Sequence, residues 1–152
     1  MKLAEALIER AEIQKENAQL LNRMTGNVIV QEGDVPIEQP QQLIAEYEKN
    51  MERLLFLVQN INKTNDVTPF ENGTIADAIA KRDCLKSKIN VYRSIYEVAT
   101  MKQQRYNANE IKFVRCIDAK ALQHTINQLS KEYREIDTKL QCLNWNVDLI
   151  EK

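Results

Sequence analysis

The chain holds a single histidine, His124, and no HxxxH, HExxH or nearby Cys/Asp pair keeps it company. Any histidine-based triad or two-histidine metal site within one copy would have to run through this imidazole, so His124 reads as a structural or surface residue. Carboxylates recur at helical spacing, Glu9 with Glu12 and Glu12 with Glu16, which is a spacing that carboxylate metal clusters use. The Glu-x-x-His companion of such clusters is missing, and solvated ion pairs are the expected role of these charges, as with Glu135 and Lys139 at i, i+4. Cys84, Cys116 and Cys142 are widely spaced, odd in number and form no CxxC pair, which points to reduced thiols rather than a disulfide framework or zinc knuckle. The three glycines, Gly26, Gly33 and Gly73, lie too far apart for a phosphate-cradling loop. No catalytic, cofactor-binding or metal-binding residue is assigned on these grounds, and no cofactor is expected.

Arg82 breaks the pattern. It falls on the apolar seam of a predicted helix, and burying a guanidinium requires a carboxylate or carbonyl partner. Two roles fit: pairing with an acid on a facing helix to fix register, or forming a small anion-binding site with Asn62, Asn65 and Lys112 near the helix ends. The basic run Lys102, Arg105, Lys112, Arg115 and Lys120 is interrupted by Glu110 and Asp118 and reads as solvated surface.

These residues must be positioned by helices. Only three Gly and three Pro punctuate 152 residues, favouring a few long helices over many short strands. With 43% hydrophobic and 28% charged residues, the composition is that of one helical domain over residues 1–152. A formal net charge of −1 creates no field for nucleic acid or an anionic membrane, so neither partner is expected. Glu5, Glu9 and Arg10 interrupt the opening segment where a signal peptide needs an apolar run, which favours a cytoplasmic protein. The densest apolar stretch, at residues 54–58, is far too short for a membrane span.

The periodicity predicts a first helix over 2–24, with Leu3, Ala6, Leu7, Ile13, Ala18, Leu20, Leu21 and Met24 as its stripe and Gly26 as its terminator. Val28, Ile29 and Val30 predict a short strand over 27–31. A second helix begins near Pro40, its seam formed by Ile44, Tyr47, Met51, Leu54, Val58 and Ile61, with Leu55 and Leu57 broadening it toward more than one neighbour. Residues 62–73 read as a loop. Thr74 then caps a third helix through Asp77, with Ile75, Ala78, Arg82, Leu85, Ile89, Tyr92, Tyr96 and Ala99 on its seam to about residue 104.

Residues 111–117 alternate Ile111, Phe113, Arg115 and Ile117 with Lys112, Val114 and Cys116, predicting a second strand with no purely polar face. It is a partner for 27–31, and because two strands alone are marginal in water, such a ribbon must lie on the helices or join its equivalent in another subunit. Asp118 caps the last helix, whose seam Leu122, Ile126, Leu129, Tyr133, Ile136, Leu140, Leu143, Val147 and Ile150 holds its four-three alternation to the end. The architecture expected is mostly α: an antiparallel long-helix coiled-coil bundle of about four helices with a short two-stranded β-ribbon, assembling as a homo-oligomer.

Several stretches carry a resemblance across essentially the whole chain: MKLAEALIERA at 1–11, VQEG at 30–33, INKTN at 61–65, DAIAKRD at 77–83, EIKFV at 110–114 and Asn144-Trp145. The chain resembles the DIP1984 or septicolysin-like family of small bacterial proteins of unknown function. That resemblance implies a helical, oligomeric protein and offers no catalytic residues. The leading expectation is a homo-oligomeric coiled-coil scaffold or interaction protein. Its alternatives are a membrane-active, cytolysin-like toxin, as the septicolysin label suggests, or an anion- or small-molecule-binding protein. Thiol-activated cytolysins carry a Trp-dense, Cys-containing loop and amphipathic hairpins, whereas this chain has one Trp and no such segment.

Overall fold

The computed structural model describes residues 1–102 and 111–151. It is mostly helical, with α1 over Leu3–Asn27, α2 over Pro40–Val67, α3 over Ile75–Thr100 and α4 over Ala119–Asn146. One two-stranded sheet, β1 (Pro69–Phe70) with β2 (Gly73–Thr74), precedes α3. The chain divides into two compact units, residues 1–69 with 141–152, and residues 70–140.

In the first unit α1 packs on α2. The pairs that link them, Arg23 with Glu38, Asn17 with Asn50 and Glu9 with Arg53, rise along one helix as they fall along the other, so the two are antiparallel. Helix α2 opens with Pro40 in its first turn, where a missing N–H costs nothing. Its inward residues are Leu43, Tyr47, Asn50, Leu54, Leu57, Ile61 and Thr64, a four-three repeat that keeps Tyr47, Leu54 and Ile61 of the expected seam and replaces Ile44, Met51 and Val58 by the residues one position earlier. Ile44, Met51 and Leu55 are left exposed on a second stripe. The helix also continues through 62–67, where the polar composition suggested a loop, because Thr64 is fully buried and its hydroxyl donates to the Asn60 carbonyl at 2.7 Å.

The same Thr64 oxygen accepts the Ile150 N–H at 2.9 Å. The chain ends complete this unit: Leu3 N–H donates to the Val147 carbonyl and Leu149 N–H to the Met1 carbonyl, each at 2.9 Å, and Lys2 pairs with Asp148 at 2.7 Å. Leu149, not Ile150, is the buried residue of this segment.

In the second unit the expected cap of α3 is present. Thr74 N–H donates to Asp77 Oδ2 at 2.9 Å, and Asp77 N–H returns to Thr74 Oγ1 at 3.4 Å. A side chain at Gly73 would meet Asp77 Oδ2 at 2.6 Å, so the cap also requires a residue without Cβ before it. The α3 seam is as read from the sequence, with Ile75, Ala78, Leu85 and Ile89 buried. Asp118 caps helix α4, its Oδ1 accepting the Ala121 N–H at 3.1 Å, and Ile126, Ile136 and Leu140 are buried along the seam. Lys81 with Glu132 at 3.2 Å and Glu71 with Lys139 at 2.6 Å show α4 returning antiparallel to α3.

Three local expectations are corrected. Helix α1 runs through Gly26 to Asn27, whose side-chain amide donates to the Arg23 carbonyl at 2.7 Å and whose Oδ1 accepts the Glu38 N–H, ending the helix by capping rather than by a glycine. Residues 27–31 and 111–117 form no strand; the ribbon is the 69–74 hairpin, turning through Glu71 at φ 49°. A β-branched run adopts a ladder only where a partner backbone is in reach. Helix α3 ends at Thr100, with Met101 extended as its C-cap, short of the expected end near residue 104.

Candidate functional site

The four residues singled out by type are divided between the two units. Asn62 and Asn65 lie on α2 in the first unit, Asn62 exposed and Asn65 half-buried. Arg82 lies on α3 in the second unit, half-buried, with Nη1 donating to Asp137 Oδ1 at 3.1 Å and Nε to Asp83 Oδ1 at 3.2 Å. The guanidinium on the seam therefore has the carboxylate from the facing helix that its burial demands. Lys112 belongs to the segment that returns past the other end of α3, where Arg115 Nε donates to the Ala99 carbonyl at 2.6 Å. At 1.5 Å rise per residue, Arg82 and Ala99 are roughly 25 Å apart along the helix.

The other chemistry-bearing residues are engaged or dispersed. Glu9 accepts two hydrogen bonds from Arg53, at 2.6 and 2.8 Å, which hold its carboxyl below the usual range against a smaller opposing effect of burial. The Arg53 guanidinium also lies 5.1 Å from the Phe56 ring centroid. The expected Glu135–Lys139 pair is replaced: Lys139 reaches Glu71, which lowers the Glu71 pKa, and Glu135 lies 4.0 Å from Lys131. The chain returning on itself brings a better-aligned carboxylate to Lys139 than the local one. His124 and all three cysteines are exposed, and the cysteines are free. Arg105 lies outside the described residues. Among the described residues no group of three or more His, Cys, Asp or Glu could hold a metal, and no helix is long and apolar enough to cross a membrane.

What residue types did not reveal is an open, mostly apolar groove of about 1120 Å³ in the second unit. Ser94, Ile95, Val98 and Met101 line it from the end of α3, and Phe113 and Ile117 from the returning segment. Lys102 and Arg115 are the cationic residues of its lining. The signal was present in the sequence as the alternating run 111–117, whose two faces are both largely apolar. The Arg10 Nε is buried with no hydrogen-bond partner among the described residues, although the side chain as a whole is half-exposed.

Residues 10–149 match the model of a family of unknown function, DUF6847. The chain belongs to that family. Over 99% of both chains, at 39% identity and a TM-score of 0.93, it is similar to a functionally unknown conserved protein from Corynebacterium diphtheriae whose crystal structure has been solved. No curated protein matches.

Proposed function

We propose that this DUF6847 protein is a homo-oligomeric coiled-coil scaffold or interaction protein. The observation that carries the reading is the amount of large apolar side chain left open. Ile29, Val35 and Ile37 in the α1–α2 connection are 85, 81 and 98% exposed, and the second α2 stripe of Ile44, Met51 and Leu55 lies open at helical spacing. Single apolar residues on a surface need no explanation, but three at helical spacing on α2 and three more in one short connection support an interaction surface. The breadth of apolar residues on α2 supports the same reading, since one stripe faces α1 and the other has room for a second neighbour.

Arg82 acts in this proposal as the register-setting ion pair of α3 and α4 rather than as part of an anion site. Free, exposed thiols suit a reducing compartment, and a cytoplasmic location goes with the proposal.

Multi-angle light scattering of the purified chain at micromolar concentration tests the reading. A stable assembly of two or more copies is expected, and a strict monomer overturns it. Leakage from liposomes, or a melting temperature raised by inorganic phosphate in the wild type but not in Arg82→Ala, would replace it with the toxin or anion-binding alternative.

A further inference from the structure

Residues 111–117 have strand-forming composition but form no strand, and they flank the apolar groove at the end of α3. We propose that this segment pairs antiparallel with the same segment of a second copy of the chain, about a two-fold axis at Val114, covering the groove. The inference rests on the homo-oligomer reading and names its interface.

Backbone chemistry is the first argument. Lys112, Val114 and Cys116 lie outside helix, turn and strand, with no positive φ, and make no backbone–backbone hydrogen bond to any described residue. In an antiparallel ladder alternate residues exchange N–H and C=O with the facing strand. With Val114 as a hydrogen-bonded pair at the axis, the groups that bond across are those of Lys112, Val114 and Cys116.

Register is the second argument. A two-fold axis normal to a two-stranded ribbon preserves each residue's face, so a residue must oppose its own copy at the centre. Centring on Arg115 would place two guanidinium groups opposite each other, a destabilising arrangement. Centring on Phe113 sets Ile111 against Arg115 and leaves Cys116 and Ile117 beyond the ladder. Centring on Val114 uses the whole segment: Ile111 faces Ile117 of the second copy, Lys112 faces Cys116, and Phe113 faces Arg115, an aromatic–cation pair. No like charges meet, and every residue of the run is paired in this register.

Area is the third. Ile111, Phe113 and Val114 are 91, 80 and 79% exposed, and Val98 and Met101 on the groove wall are 71 and 67% exposed. Taking roughly 150–200 Å² for a fully open side chain of this size, the five present roughly 700 Å². Each partner in a standard interface contributes about 800 Å², so the patch is close to what a stable dimer needs.

The test uses the full chain with Cys84→Ser, Cys116→Ser and Cys142→Ser, into which Val114→Cys or, as a control on the exposed face of α3, Lys88→Cys is introduced. Light scattering gives the assembly state, and a short bifunctional thiol crosslinker gives proximity. Expected is an oligomer in which Val114→Cys is captured as a covalent dimer and Lys88→Cys is not. An oligomer without capture at position 114 overturns the pairing while leaving the scaffold reading intact; a monomer overturns both. In parallel, Val114→Pro removes the central N–H donor from an exposed loop and is expected to weaken self-association at least tenfold with an unchanged helical circular dichroism spectrum. Unchanged self-association of Val114→Pro also overturns the pairing.

Discussion

Replacing Thr64 by valine removes one oxygen and almost nothing else. Thr64 is fully buried on α2, and its hydroxyl both donates to the Asn60 carbonyl and accepts the Ile150 N–H at 2.9 Å. Valine has nearly the same shape, so the cavity cost is small, but the part-buried Ile150 N–H loses its acceptor. An unsatisfied donor of this kind costs about 1–3 kcal/mol. At roughly 2–4 °C per kcal/mol for a chain of this length, the melting temperature of Thr64→Val should fall by roughly 2–12 °C. The rest of the C-terminal segment stays pinned by the Leu3–Val147 and Leu149–Met1 backbone bonds, so the opening should be local. Hydrogen exchange read by NMR resolves this: the Ile150 amide should lose protection in Thr64→Val while Leu3 and Leu149 keep theirs. Thr64→Ser, which keeps the oxygen and loses only a methyl worth about 0.8 kcal/mol, should retain the Ile150 protection. Equal stability and equal Ile150 protection in Thr64→Val and wild type would refute the argument that this hydroxyl anchors the tail.

Other perturbations follow from the same geometry. Gly73→Ala should push Asp77 off the Thr74 cap and destabilise α3 by about 1 kcal/mol, read as a lower urea midpoint; a neutral result would mean that the cap shifts freely. Arg53 lowers the Glu9 pKa, so the pair contributes stability above the unfolded carboxyl pKa of about 4.3 and loses it as pH falls through the lower folded value. In Arg53→Met the Glu9 midpoint followed by carboxyl NMR should therefore move up; an unmoved midpoint removes Arg53 as the cause. A double-mutant cycle of Arg82→Met with Asp137→Asn should give a coupling of under about 1 kcal/mol, because both groups remain partly solvated. A coupling several times larger would make the pair a buried network rather than a register mark.

Much of the fold was legible because it is local. Thr74 with Asp77, Asp118 and Pro40 each mark a helix start through bonds or backbone constraints that span three or four residues, and each does so in the structure. The seams of α3 and α4 were readable because each helix carries one dominant apolar stripe. The charged partners were not legible in the same way. Lys139 has an acid at the right local spacing and pairs instead with Glu71, 68 positions earlier in the chain. Asn62 and Asn65 lie on α2, Arg82 on α3 and Lys112 outside the helices, and no local pattern says which of them would meet.

Sequence alone determined the number of long helices, where most of them start and which residues of α3 and α4 turn inward, since hydrophobic period and capping act over one or two turns. Tertiary structure decided the face that α2 turns toward α1, because two adjacent apolar stripes fit the helical period equally well and only the neighbour selects between them. It also decided that 62–67 is helix and that 27–31 and 111–117 are not strands. A buried hydroxyl can hold a polar segment in a helix, and a β-branched run becomes a strand only when another backbone lies alongside to complete its hydrogen bonds.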